Sequence, residues 1–167
     1  EMLEREEDIH SKLLEIINLS VKVKVEVVKN DLRDSNIRKI LNFGHTIGHA
    51  IELKFNLKHG FAISIGMVLE SVIGTLFFDI DKDVGLRIVN LLKKFNLPTF
   101  IDLTSHEQEI FEIILHDKKS RDEKIDLVCV RQIGSSELVS IEKSKLLEGL
   151  QWIFKRQEGL KSLYAQV

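Results

Sequence analysis

A single proline, Pro98, occurs in 167 residues, and apolar side chains recur mainly at spacings of three and four. Long stretches can therefore be helical without a ring to break the backbone ladder, and the periodicity supplies each with a face to bury. Helices are expected at about 3–17, 20–30, 35–55, 60–79, 82–95, 105–116 and 142–158. Ser20, Ser35, Asp81 and Ser105 are placed to cap helix N-termini. Asn56 and Asn96 can end helices by accepting the left-handed conformation. The segment 124–141 differs: "KIDLVCV", a turn "QIGSS" and "ELVSI" alternate and are rich in Val and Ile, as a β-hairpin requires. The expected fold is mainly α, a multi-helical domain with one small hairpin.

With 24 basic and 26 acidic residues the net charge is −2, so no extended positive field invites nucleic acid or an anionic membrane. The run "FAISIGMVLESVIGTLFF", residues 61–78, approaches a membrane span in length. Glu70 at its middle favours the buried helix of a soluble protein. One cysteine, Cys129, excludes an internal disulfide and suits a reducing compartment, with the cytoplasm as default. No phosphate-cradling glycine loop follows a strand, so a nucleotide fold is not expected in this chain.

The chemistry concentrates in "RKILNFGHTIGHAIE", residues 38–52. On one continuous helix Arg38, Asn42, His45 and His49 would fall within an arc of roughly 60° and form a polar stripe. Gly44 and Gly48 would each cost about 1 kcal/mol against Ala in a helix interior. Something must approach the backbone there, either a ligand or a tightly packed helix. Beyond the break at Asn56, "HGFAISIGM" opens the next helix at His59, which an antiparallel return can bring back to the stripe. Imidazole is a common ligand for zinc and related ions, and catalytic sites use three protein ligands plus an open position. A histidine pair at i, i+4 also occurs as ordinary polar packing, and both readings stay open on spacing alone. "HEQEI" at 106–110 lacks the second histidine of a zincin motif and reads as a helix start.

The pattern "R-x-x-LNFGHTIGHAIE" followed by "HG-x-A-x-x-x-GM" closely resembles the signature of the 3-dehydroquinate synthase family, sugar-phosphate cyclases of the shikimate pathway. The similarity runs from about Ser20 to "IGMVLES", returns at "DKKSRDEKIDLVCVRQIG", and concerns the family's C-terminal helical half. Leu32, after Asp31, departs from it where the family usually carries an acidic residue. The resemblance implies that His45 and His59 are metal ligands, the metal being zinc or cobalt. Their third partner would be an acidic residue from an upstream segment that nothing here matches. It further implies that Lys24, Arg38, Asn42, His49 and Lys118 contact a phosphorylated sugar acid, with His49 and Asn42 also orienting it and sharing its proton traffic. Arg offers such a substrate a planar fork and Lys a point charge.

The implied reaction converts 3-deoxy-arabino-heptulosonate 7-phosphate into 3-dehydroquinate and phosphate by oxidation, elimination, reduction and aldol closure, with NAD bound mainly by an N-terminal half absent from this chain. Opening on Glu1 rather than Met, the chain is expected to be part of something longer and inactive alone. The family resemblance implies a homodimer for the complete enzyme. A related cyclase, such as a deoxyinosose or valiolone synthase, or a metal-dependent polyol dehydrogenase, could use the same helical half.

Overall fold

The computed structural model describes residues 9–31, 37–117 and 123–156. The chain divides into two compact units, 1–41 and 42–167. The first carries α1 (Ile9–Asn30), one uninterrupted 22-residue helix where the sequence suggested a break near residues 18–19. No glycine or proline interrupts it, and Ser20, expected to cap a new helix, instead donates its hydroxyl to the carbonyl of Ile16 at 2.8 Å, as a mid-helix serine can. The backbone N–H of Arg38 donates to Asp31 Oδ2 at 3.1 Å. Ser35 and residues 3–8, also assigned to expected helices, lie outside the described residues.

The expected helix over 35–55 is not continuous. A 3-10 turn runs over Ile37–Asn42, Gly44 adopts φ +80° as N-cap, and α2 begins at His45 and ends at Phe55. The left-handed residue breaks the 100° per residue progression, so Arg38 and Asn42 do not continue the helical stripe of His45 and His49.

The second unit continues with α3 (His59–Phe77), α4 (Lys82–Lys94), α5 (Glu107–Asp117), β1 (Lys124–Gln132), β2 (Ser135–Glu142) and α6 (Lys143–Lys155). Asn56 does end α2 with φ +50°, and Asn96 takes φ +53° just beyond α4. Asp81 caps α4 by accepting from the N–H of Asp83 at 2.9 Å. Ser105, by contrast, sits at φ +65° one residue before His106, whose carbonyl accepts the first bond of α5 from Ile110 N at 3.0 Å. β1 and β2 pair antiparallel as the expected hairpin, Ile125 opposite Ile141, with a bulge between Val130 and Gln132.

The main core cluster is drawn from α2, α3, α5, α6 and the hairpin, where Ile47, Ile51, Ile73, Ile110, Leu146 and Leu150 have no exposed surface, and a smaller cluster of Val68, Val89 and Leu92 joins α3 to α4. Burying each such side chain contributes about 1.5–3 kcal/mol. α3 is apolar and long enough to cross a membrane, but 61% of its most apolar window is buried by the surrounding elements, which marks it as the core helix of this fold.

Contacts at three glycines set how α2 meets α3. A Cβ on Gly66 would lie 2.0 Å from the Gly44 carbonyl oxygen and 2.7 Å from Gly48 N. A Cβ on Gly44 would meet Met67 N at 2.7 Å, and one on Gly48 would meet the Ala62 carbonyl at 3.0 Å. As α2 advances its partners on α3 recede in number, so the two helices are antiparallel and nearly in backbone contact. Close helix packing is what the glycines permit.

Candidate metal centre

Three imidazoles converge where α2 and α3 face each other. Ring centroids lie 5.2 Å apart for His45 and His49, 5.5 Å for His45 and His59, and 5.7 Å for His49 and His59. Each offers one nitrogen, and these nitrogens all lie within 4.8 Å of one another. The local sequence explains the placement. His45 and His49 occupy adjacent turns of α2, and His59 is the first residue of α3 after a three-residue turn, 56–58.

The N-terminus of α2 is anchored from across the helix pair. Glu70 of α3, 1% exposed, accepts from Gly44 N at 2.8 Å through Oε2 and from Ile47 N at 3.2 Å through Oε1. Those N–H groups have no partner within the first turn, and a carboxylate there also meets the positive end of the helix dipole. On the other side Thr46 donates to the carbonyl of Asp126 on β1 at 3.3 Å. The turn bearing His45 is thus held by α3 and by the hairpin.

Tautomers follow from the acceptors. His45 Nδ1 lies 3.2 Å from the Phe43 carbonyl oxygen, and His59 Nδ1 lies 2.8 Å from Glu52 Oε2. A carbonyl or carboxylate only accepts, so in the neutral ring each Nδ1 carries the proton and Nε2 keeps its lone pair. Burial lowers the pKa of His45, opposed by its backbone hydrogen bonds and aided by the neighbouring His49 and His59. Neutral imidazole is the ligating form.

The donor set fits a divalent cation of the zinc or cobalt type. Zinc at 2.0–2.1 Å from each nitrogen would hold a pair of them about 3.4 Å apart, within reach of side-chain shifts of about 1 Å. Among the described residues the only strands form an antiparallel hairpin, with no glycine-rich strand-to-helix turn of the dinucleotide-binding kind.

Of the residues singled out from sequence, His45, His49 and His59 come together, and Asn42 ends the 3-10 turn three residues before His45. Lys24 on α1 and Arg38 belong to the first unit, and Lys118 lies outside the described residues. Sequence reasoning missed Glu52 and Glu70 as supports. Glu52 could have been found as i+7 from His45 on the same helix face, whereas the partners of Glu70 depend on the helix break at Gly44.

Fold and site together define a helical domain that presents a histidine cluster suited to a divalent metal. The sequence model of the family described as 3-dehydroquinate synthase C-terminal matches residues 1–120, and the chain belongs to that family. The 3-dehydroquinate synthase of Thermoanaerobacter pseudethanolicus is 40% identical over 155 residues, 90% of this chain and 42% of that protein. That of Pyrococcus abyssi is 38% identical over 138 residues, 81% of this chain and 40% of that protein. The chain therefore spans about two fifths of the length of these relatives.

Among solved structures, 2-deoxy-scyllo-inosose synthase with carbaglucose-6-phosphate, NAD+ and Co2+ matches with TM-score 0.71 and 25% identity, covering 84% of this chain and 41% of that one. The 2-epi-5-epi-valiolone synthase of Streptomyces hygroscopicus, with NAD+ and Zn2+, shares the fold with TM-score 0.69 at 20% identity, over 86% of this chain and 40% of that one.

Proposed function

We propose that this chain is the metal- and substrate-binding helical part of a 3-dehydroquinate synthase, a phosphorus–oxygen lyase. The reaction converts 3-deoxy-arabino-heptulosonate 7-phosphate into 3-dehydroquinate and phosphate on the shikimate route to chorismate and aromatic amino acids. The observation that carries this reading is the convergence of His45, His49 and His59 in a family member 35–40% identical to 3-dehydroquinate synthases.

His45 and His59 are the proposed ligands, because these two have an acceptor on Nδ1 that leaves Nε2 free for a cation. A divalent cation there, zinc or cobalt, would supply Lewis-acid polarisation of a substrate hydroxyl or ketone oxygen. A third, acidic ligand would come from outside this chain. His49, beside both ligands, is read as a substrate contact that holds or passes a proton at an imidazole nitrogen. Asn42 would orient the substrate with it. Arg38, Lys24 and Lys118 are assigned to the carboxylate and phosphate of the sugar acid, where cations are needed to replace water around an anion.

NAD would be bound by an N-terminal domain outside these 167 residues. The complete enzyme is proposed to be a cytoplasmic homodimer acting on a small molecule, without nucleic acid or membrane as partner. The 25% identity to 2-deoxy-scyllo-inosose synthase keeps a related cyclase as the second reading. The greater identity to 3-dehydroquinate synthases favours the first.

The test is product analysis with the NAD-binding part supplied. Formation of 3-dehydroquinate and phosphate without net NADH supports the reading, and oxidation of a simple polyol with net NADH release overturns it. The 167-residue chain alone is expected to bind zinc weakly and not to turn over. His45→Ala and His59→Ala should each abolish that binding.

A further inference from the structure

His45, His49 and Glu52 stand at i, i+4 and i+7 of α2 and so share one face over two turns. His59 begins α3 opposite the far end of that face, and Glu52 reaches it across the turn, Oε2 to Nδ1 at 2.8 Å. Both side chains are accessible, 32% exposed for Glu52 and 56% for His59. An exposed histidine at the first position of a helix is otherwise free to rotate about its side-chain bonds and to carry its proton on either nitrogen.

A surface pair of this kind contributes little to stability even when both partners are charged. As an ion pair it would also require a protonated His59 beside two further imidazoles. As a hydrogen bond to neutral imidazole it does something more specific. It places the proton on Nδ1, leaves the Nε2 lone pair available, and holds the ring where its centroid is 5.5 Å from that of His45. A carboxylate behind a ligating imidazole also makes the ring a stronger donor to a metal.

We propose that Glu52 is a positioning residue for His59: its carboxylate fixes the tautomer and orientation in which His59 joins the cation site of α2. This rests on the reading of the histidine cluster as a metal centre. Glu52 is not itself a ligand in this assignment. It acts through the ring of His59, as His45 is held through the carbonyl of Phe43.

The full chain is compared with Glu52→Ala and Glu52→Gln by zinc titration against a chromophoric chelator. The His59 tautomer is read in the metal-free proteins from ring 15N chemical shifts. Glu52→Ala should weaken zinc binding by about 10–100-fold and split His59 between tautomers. Glu52→Gln, which keeps a carbonyl acceptor, should recover part of both effects, while the metal-free melting temperature stays near that of the wild type in both variants. Wild-type zinc affinity in Glu52→Ala, or a His59 that keeps its proton on Nδ1 there, overturns the proposal. So does a Glu52→Gln loss as complete as that of His59→Ala, which would make Glu52 a direct ligand. His45→Ala and His59→Ala run alongside separate the two levels. If they lose zinc and Glu52→Ala does not, only the positioning role fails; if they retain zinc, the metal reading fails and this inference with it.

Discussion

The carboxylate of Glu70 accepts the backbone N–H of Gly44 at 2.8 Å from a side chain that is 1% exposed. This bond joins the middle of α3 to the N-cap residue of α2, and a second bond to Ile47 N makes the carboxylate a cap supplied by another helix. Removing it strands two backbone donors at a packed interface. Glu70→Ala should lower unfolding free energy by about 3 kcal/mol or more, and Glu70→Gln, with one accepting oxygen, by less. Urea denaturation measures this, and an unchanged midpoint for Glu70→Ala would refute the capping role.

Gly66 gives a sharper steric prediction, because its neighbours are backbone atoms that cannot swing aside. A Cβ there would meet the Gly44 carbonyl at 2.0 Å, so Gly66→Ala must push α3 away from the turn that carries His45. We expect a loss of about 3 kcal/mol together with weakened zinc binding. Gly60→Ala is the control, since its Cβ meets nothing within 4 Å and alanine is the better helix former, by up to about 1 kcal/mol. Equal denaturation midpoints for the two variants would show that the close approach is not needed.

Much of this was legible from sequence because it depends on local periodicity. The helices from α3 onward, the hairpin and the left-handed Asn56 follow from residue type and spacing. The break at Gly44 was not legible, since a glycine costs about as much inside a helix as it is useful before one. What decides is Glu70, 26 residues on, whose carboxylate rewards ending the 3-10 turn and starting a new helix at His45. The histidine cluster survived that error because His45 and His49 both lie within α2. The continuous helix from which Arg38 and Asn42 were put on the same stripe did not survive.

Acid should weaken the fold partly through His45. Burial lowers its pKa below the ordinary 6.5, so on acidification the unfolded chain takes up a proton at this position before the folded one does. Its contribution is therefore fully present above about pH 6.5, declines as the pH falls below that, and levels off beneath the lowered folded value. His45→Gln should show a smaller drop in urea midpoint between neutral and mildly acidic pH than the wild type. Identical drops would mean that the ring is not desolvated. Zinc binding should weaken in the same direction, because a proton on His45 competes with the cation for the ring nitrogen.

Cys129 offers a readout of the core that is independent of the metal. Its thiol is buried on β1, 2% exposed, and desolvation, reinforced by the charge of Glu70, pushes its pKa up to about 12. Thiolate is the reactive form, so the folded chain should label with iodoacetamide at mildly alkaline pH only as fast as it opens, while the chain in concentrated urea labels at the rate of a free thiol. Because Gly74, whose Cβ would lie 3.6 Å from Cys129 Sγ, belongs to α3, loosening α3 should be felt here. Glu70→Ala should accelerate labelling of the native state in proportion to the stability it loses, provided that opening and closing are fast relative to alkylation. Prompt labelling of the wild type without denaturant would place the sulfur at the surface and contradict the packing of β1 against α3.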